Sequence, residues 1–437
     1  MGGHCKRDGN RQLHVHVHRL TAFAVALLAT VGVAAGCSSE GPAASPRSKS
    51  SPDQLQAGAN VEAWCDSRPE PVTCLPIEHA RYVIVIHAQS KAPSNGLVFW
   101  DPGGPGLPLP DAEAPLDKLI PDAIDGFDVA FMVEPWIGTP PSDDCLTAAA
   151  DGAPGEECGL KALFSQEHDI VQALEVASAR TNEPFVGAYL QSFGATRSQA
   201  VLSKRAGVRW VVLESPGPVP GTSARKLIDA RAEAIMTTLA KNCGEPDCRS
   251  AIGRHLGDWV STGVPGSATG REIALGIIAV ASLPRQNFAA IQRVQSALKT
   301  GEIPAALSDQ LRRLGRSFEL RGASSVQPAL IGLWADTCPR LTDWAELGRF
   351  NSPLSAGFAW LYRGCNSIPS RGSFNSSRSV PTLILTGRQD TIVPPSIQSG
   401  WQRVLEVTTT ISGAEHFWDN SAVTRRVSRW VALQSRP

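Results

Sequence analysis

The chain has 437 residues, 42% of them hydrophobic and 19% charged, with 41 basic side chains against 41 acidic ones. That is enough apolar material for one large core and a second, smaller block. A formal charge of zero gives no support to nucleic-acid binding, which needs a basic face.

The first element in chain order is a targeting segment. Lys6, Arg7, Arg11 and Arg19 precede the apolar run TAFAVALLATVGVAAGC, residues 21–37. A basic stretch ahead of such a run reads as a secretory signal over 1–36, and the run is short for a stable membrane span. Its end, Val33-Ala34-Ala35-Gly36-Cys37, resembles a bacterial lipobox, whose cysteine becomes the lipid-bearing first residue; an ordinary signal cut near Ala35 is the alternative. The Ser/Pro-rich stretch SSEGPAASPRSKSSPDQ follows, so 37–60 reads as a flexible tether holding a domain off a membrane. The expected location is the outer face of the cytoplasmic membrane, with Cys37 as anchor. His14, His16 and His18 fall in the part removed, and no metal site or cofactor is expected.

Past the tether, eight cysteines remain: Cys65, Cys74, Cys145, Cys158, Cys243, Cys248, Cys338 and Cys365. An even set in an exported chain reads as disulfides, whereas zinc would call for ligand spacings such as CxxC or HExxH, which do not occur. Pairing of sequence neighbours is one connectivity among many.

Short apolar runs then recur: RYVIVIHAQ, GLVFW, FDVAFMVE, PFVGAYLQ, VRWVVLES, TLILTG and VLEVTTTIS. Before the fourth, EHDIVQALEVASAR sets Ile170, Val171, Leu174 and Ala177 at helical spacing. Strands separated by helices predict an α/β fold, a mostly parallel sheet flanked by helices. From 216 to 379 no strand pattern appears. Amphipathic stretches such as SARKLIDARAEAIMTTLAK and REIALGIIAVAS predict an inserted helical lid between a first core part, 61–215, and a last one, 380–437.

PFVGAYLQSFGA ends an apolar strand in Ser192, with Gly194 two residues on. A sharp strand-to-helix turn of this kind lifts a nucleophile above the sheet edge and calls for small residues two before and two after. Gly194 and Ala195 meet that demand; Leu190, two before, does not. Ser215 in VVLESPG is a competitor, but Pro216 follows it and has no N–H to offer an oxyanion. DPGGPG, residues 101–106, follows the strand GLVFW and lets backbone N–H groups approach a ligand closely. Asp390 follows TLILTG, and His416 follows VLEVTTTIS. The order Ser192, Asp390, His416, each after a strand, is that of an α/β-hydrolase triad.

From Trp64 to Pro437 the sequence resembles the α/β-hydrolase group of secreted tripeptidyl aminopeptidases and proline iminopeptidases. DPGGPG is similar to that group's NPGGPG or HGGPG oxyanion loop, LTGRQDTIVPP to its G-x-x-D-x-x-x-P acid segment, and EHDIVQALEVASARTNEPFVGAYLQSFGA to its helix, strand and elbow. Cys65 with Cys74, and Cys338 with Cys365, resemble its disulfides. Leu190 replaces the elbow's first glycine, Glu134 and Trp136 stand where an acid and an arginine are usual, and VLESPGP replaces a Leu-Asp-Gly step. The resemblance implies an exported serine hydrolase cleaving N-terminal peptide bonds, with a carboxylesterase or a non-catalytic lipoprotein as alternatives. Ser192 is then the nucleophile, His416 the base and Asp390 its partner, with Phe193 and Gly103 or Gly104 forming the oxyanion hole. An aminopeptidase also needs a lid carboxylate for the substrate's amine, for which Asp229, Glu233, Asp336 and Glu346 are candidates. The expected partners are a peptide or ester substrate and a membrane, with no nucleic acid.

Overall fold

The computed structural model describes residues 61–435, apart from 105–119, 134–142, 152–165, 319–329, 345–351, 369–373, 375–379, 414–420 and shorter breaks. Residues 1–60, read above as a signal and tether with Cys37, therefore lie outside the described residues.

Eight strands form one sheet in the order β1-β2-β4-β3-β5-β6-β7-β8. They are β1 (Val72–Ile77), β2 (Arg81–Ile86), β3 (Leu97–Asp101), β4 (Asp128–Val133), β5 (Phe185–Gln191), β6 (Trp210–Glu214), β7 (Thr382–Gly387) and β8 (Thr408–Gly413). β2 pairs antiparallel with β1 and β4, and every other neighbour is parallel. This is the α/β-hydrolase fold: a mostly parallel sheet with helices on its faces and the strand order crossing between β3 and β4. The parallel strands β3 and β6 are buried at every position, as a sheet covered on both faces requires.

One face is covered by α3 (Gln166–Thr181) and the short α4 (Ser198–Val201), which follow α1 (Val61–Asp66) and α2 (Asp143–Ala150) in the chain. Ile170, Leu174, Ala200 and Val201 pack there with Ala188, Leu190, Val211 and Leu213. The opposite face buries Val98, Trp100, Val186, Tyr189, Trp210 and Val212 against Val427 and Val431 of the C-terminal helix 421–434.

β1 is an element that the apolar pattern does not reveal. Its residues VTCLPI are mostly half-buried and include Pro76, which a strand tolerates at a sheet edge. Cys74 on β1 is bonded to Cys65 of α1, so the edge strand is stapled to the helix ahead of it.

Between β6 and β7 the described chain is helical: α5 (Ala224–Leu239), α6 (Pro246–Thr262), α7 (Gly270–Ser282), α8 (Phe288–Thr300), α9 (Ala305–Arg316) and α10 (Pro353–Leu361). α7 is buried from Glu272 to Ser282 and forms the axis of this block, with α9 and α10 against it. Disulfides Cys243–Cys248 and Cys338–Cys365 lie within the block. Cys145 is also disulfide-bonded, and Cys158 lies outside the described residues.

Candidate active site

β5 delivers Ser192 to the carboxyl edge of the sheet. Ser192 has φ +49° and opens a 3-10 helix, Ser192–Arg197. A non-glycine residue in the left-handed region costs about 1–2 kcal/mol, so the surrounding structure must impose it. Leu190 keeps its place without a glycine because its side chain turns to the covered face. There it is fully buried beside Ala195 and Ala200, whose small side chains leave it room. Ser215, at the end of β6, has φ +43° as well. Its N–H donates to the Leu385 carbonyl at 2.8 Å, and Gly217 N–H donates to the Ser192 carbonyl at 2.6 Å. The left-handed turn after β6 thus braces the one after β5.

The loop after β3 lies against this turn. Gly103 has φ +72° and Gly104 φ +53°. A Cβ on Gly103 would sit 2.2 Å from the Gln191 carbonyl oxygen, so only glycine lets the two backbones approach. Asp101, 4% exposed at the end of β3, accepts the Gly103 N–H on Oδ1 at 2.9 Å and Arg197 Nη1 on Oδ2 at 2.5 Å. Its Cγ lies 2.6 Å from where a Gly194 Cβ would be. Gly194 is therefore small for a definite reason: Asp101 occupies the space. Gly103 commits its N–H to Asp101, and Gly104 follows it, also in the left-handed region.

Asp390 follows β7 and is 2% exposed. Oδ1 accepts from the N–H groups of Ile392 at 2.9 Å and Val393 at 2.8 Å, and Oδ2 accepts from Gln398 Nε2 at 2.8 Å. Gln398, fully buried, is itself held by the Gly387 N–H, which donates to its Oε1 at 3.2 Å. The carboxylate thus has a fixed orientation at the same sheet edge as Ser192, two strands away through β6 and β7. His416 follows β8, the next strand, and lies outside the described residues, as do Glu134 and Trp136.

The helical block reaches the site at two points. Phe193 is buried in the block's core cluster together with Ala224, Leu227, Val393 and Ile397. Thr391, next to Asp390, donates its hydroxyl to the carbonyl of Ala281 at 2.8 Å, at the C-terminus of α7. Phe193, next to Ser192, and Thr391, next to Asp390, are thereby both attached to the insertion.

Under Ser192 runs a polar chain that apolar periodicity does not reveal. Trp100 Nε1 donates to Gln191 Oε1 at 3.0 Å, Gln191 Nε2 donates to Glu214 Oε2 at 2.8 Å, and Tyr189 OH donates to the same oxygen at 2.7 Å. Burial pushes the Tyr189 hydroxyl well above the usual tyrosine range. The Glu214 carboxylate adds to this by charge and by hydrogen bond, and Asp122 adds a further push. The available signal was a polar residue closing each apolar strand: Gln191 on β5, Glu214 on β6 and Asp101 on β3.

Of the candidate carboxylates in the helical insertion, Asp229 pairs with Arg225 at 3.6 Å and accepts the Ser355 hydroxyl at 3.3 Å, while the exposed Glu233 pairs with Arg249 at 2.5 Å. Asp336 and Glu346 lie outside the described residues. Among the described residues no cluster of three or more His, Cys, Asp or Glu could hold a metal, and no helix is long and apolar enough to cross a membrane.

No protein-family model matches the chain, and no curated protein matches it in sequence. Solved structures do resemble it. A proline iminopeptidase-related protein from Thermus thermophilus is 14% identical, covering 84% of this chain and 98% of its own, with a TM-score of 0.39. An esterase from a Rhodococcus species is 13% identical, covering 83% and 98%, with a TM-score of 0.36. A haloalkane dehalogenase from Bradyrhizobium elkani is 10% identical, covering 83% and 98%, with a TM-score of 0.34. Their names span several chemistries, and likeness at this level assigns none of them to this chain.

Proposed function

We propose that this chain is an exported serine hydrolase acting on ester or amide carbonyls through an acyl-enzyme. The observation that carries the reading is the left-handed backbone of Ser192 at the end of β5, pressed against the Gly103 backbone. A strained, buried turn of this kind is maintained only where the surrounding structure over-determines it.

In this reading His416 removes the Ser192 hydroxyl proton as the oxygen attacks the carbonyl carbon. The proton then passes to the leaving alcohol or amine, and water repeats the attack on the acyl-enzyme. Asp390 holds the imidazole tautomer and offsets its charge. Two geometric facts support that role: its carboxylate is buried, and three donors already orient it. The N–H groups of Phe193 and Gly104 stabilise the oxyanion, because the Gly103 N–H is taken by Asp101. Losing one such donor costs about 3–4 kcal/mol.

The test is labelling with a fluorophosphonate. The wild-type protein is expected to react and Ser192→Ala to remain unlabelled; equal labelling of both refutes the assignment. Absence of labelling and of ester turnover in correctly oxidised wild-type protein would instead point to a binding lipoprotein that keeps the fold.

An aminopeptidase must anchor the substrate's α-amine on a carboxylate. Asp229 and Glu233 are paired with arginines, so turnover decides between the peptidase and carboxylesterase forms of the reading. Faster turnover of short p-nitrophenyl esters than of amino-acyl or tripeptidyl amides supports that form, and the reverse supports the peptidase. Export and anchoring at Cys37 rest on the signal-like segment and its lipobox-like end. Incorporation of labelled palmitate by the full chain, abolished in Cys37→Ser, tests them.

A further inference from the structure

The oxyanion site proposed above is assembled from two backbone segments on different strands, the loop 101–104 after β3 and the turn 192–194 after β5. Their ladder ends at the pairing of Asp101 with Leu190. Beyond that point the Asp101 side chain binds both segments. One carboxylate oxygen accepts the Gly103 N–H, the other accepts Arg197 Nη1 at the far end of the Ser192–Arg197 helix, and the carboxyl carbon fills the space that Gly194 leaves open. Asp101 and Arg197 are each 4% exposed, so the charge of each is held away from water.

We propose that the Asp101–Arg197 ion pair is a positioning pair. It sets the loop that carries the Gly104 N–H relative to the turn that carries the Phe193 N–H, and so it governs turnover rather than substrate affinity. The inference rests on the hydrolase reading. Asp101 holds the Gly103 N–H, and Arg197 holds Asp101. Their effect passes through the spacing of two backbone donors, and donors act on an oxyanion only when held at the position where its charge develops. Charge is needed as well as shape. A neutral Asn at 101 could still accept the Gly103 N–H, but it would remove the carboxylate to which the buried Arg197 Nη1 donates.

The test compares Asp101→Asn, Arg197→Met and the double variant Asp101→Asn/Arg197→Met with the wild type. A p-nitrophenyl ester gives kcat and KM per active site titrated with fluorophosphonate, and an alkyl boronic acid serves as mimic of the tetrahedral intermediate. Each single variant is expected to lose roughly 100-fold in kcat, as a donor misplaced by about 1 Å does. KM should stay within about twofold, and boronate affinity should fall in step with kcat. The double variant removes both charges of the pair, so it keeps the experiment decisive if a single variant fails to fold. Its kcat is expected to be as low as that of either single variant, because one tie is lost in all three. A double variant with a lower melting temperature but wild-type kcat per titrated site and wild-type boronate affinity would overturn the proposal. If the wild type itself neither labels nor turns over ester, the hydrolase reading fails and the pair's role goes with it. Active wild type with unchanged variants sinks the pair alone.

Discussion

Thr391 donates its hydroxyl proton to the Ala281 carbonyl at 2.8 Å, and Ser282's carbonyl lies 3.3 Å from the same oxygen. These are among the last carbonyls of α7, which the helix itself cannot satisfy. The loop that orients Asp390 therefore caps the buried axis of the helical insertion.

Thr391→Val is expected to destabilise the protein by about 1–3 kcal/mol, because it keeps the shape but leaves the buried carbonyls without a donor. Thr391→Ser should recover most of the loss. Urea unfolding of the three proteins measures both effects, and an unchanged midpoint in the valine variant would show that the contact contributes nothing.

Gly103→Ala is expected to be worse than Gly194→Ala, although both place a methyl group in occupied space. A Cβ on Gly103 would lie 2.2 Å from the Gln191 carbonyl oxygen, and its backbone is left-handed, whereas a Cβ on Gly194 would lie 2.6 Å from the Asp101 side chain. Overpacking of this kind costs about 1–3 kcal/mol, and the backbone conformation adds about 1–2 kcal/mol at Gly103. Melting temperatures give the ranking; the reverse order would mean that the loop moves more easily than the turn.

Tyr189→Phe is expected to flatten the alkaline limb of the stability curve. The folded state holds this hydroxyl's pKa above its unfolded value, by burial first and by Glu214 second. Its stabilising contribution is therefore complete below an unfolded pKa of about 10 and is lost as pH rises from there toward the folded value. Above pH ~10 the unfolded chain releases the proton and the native state does not, so native stability falls. The difference between wild type and Tyr189→Phe in urea midpoint, followed from pH 8 to 11, should shrink as pH rises. A constant difference would contradict the shift.

Arg231→Met is expected to be neutral or stabilising. Arg231 is buried in the insertion, donates one hydrogen bond to the Tyr362 hydroxyl at 2.8 Å and lies over the Phe358 ring. Its Nε has no partner among the described residues, and no carboxylate pairs with it there. Replacing a buried ion with an apolar chain of similar length removes a desolvation cost that offsets the lost hydrogen bond to Tyr362. A loss of more than about 2 kcal/mol in urea unfolding would mean that the guanidinium is needed where it stands.

Much of the arrangement could be read from local pattern. Seven strands announced themselves as apolar runs, and the helical insertion as a change of period between VRWVVLES and TLILTG. Ser192 and Asp390 could be singled out because a polar residue after such a run is visible within a dozen positions. The pairs Cys65–Cys74, Cys243–Cys248 and Cys338–Cys365 join neighbours along the chain. β1 escaped notice because an edge strand buries too little for its pattern to stand out.

What the sequence determined by itself is what short-range physics encodes: which segments are strands or helices, and which strand ends carry a hydroxyl or a carboxylate. Only the tertiary structure decided that Asp101 meets Arg197, that Glu214 receives both Tyr189 and Gln191, and that Thr391 caps α7. Those contacts join residues 23 to 110 positions apart. They depend on strand order and register, to which no short stretch of the chain is sensitive. A buried polar group takes whatever partner the packed fold brings within reach.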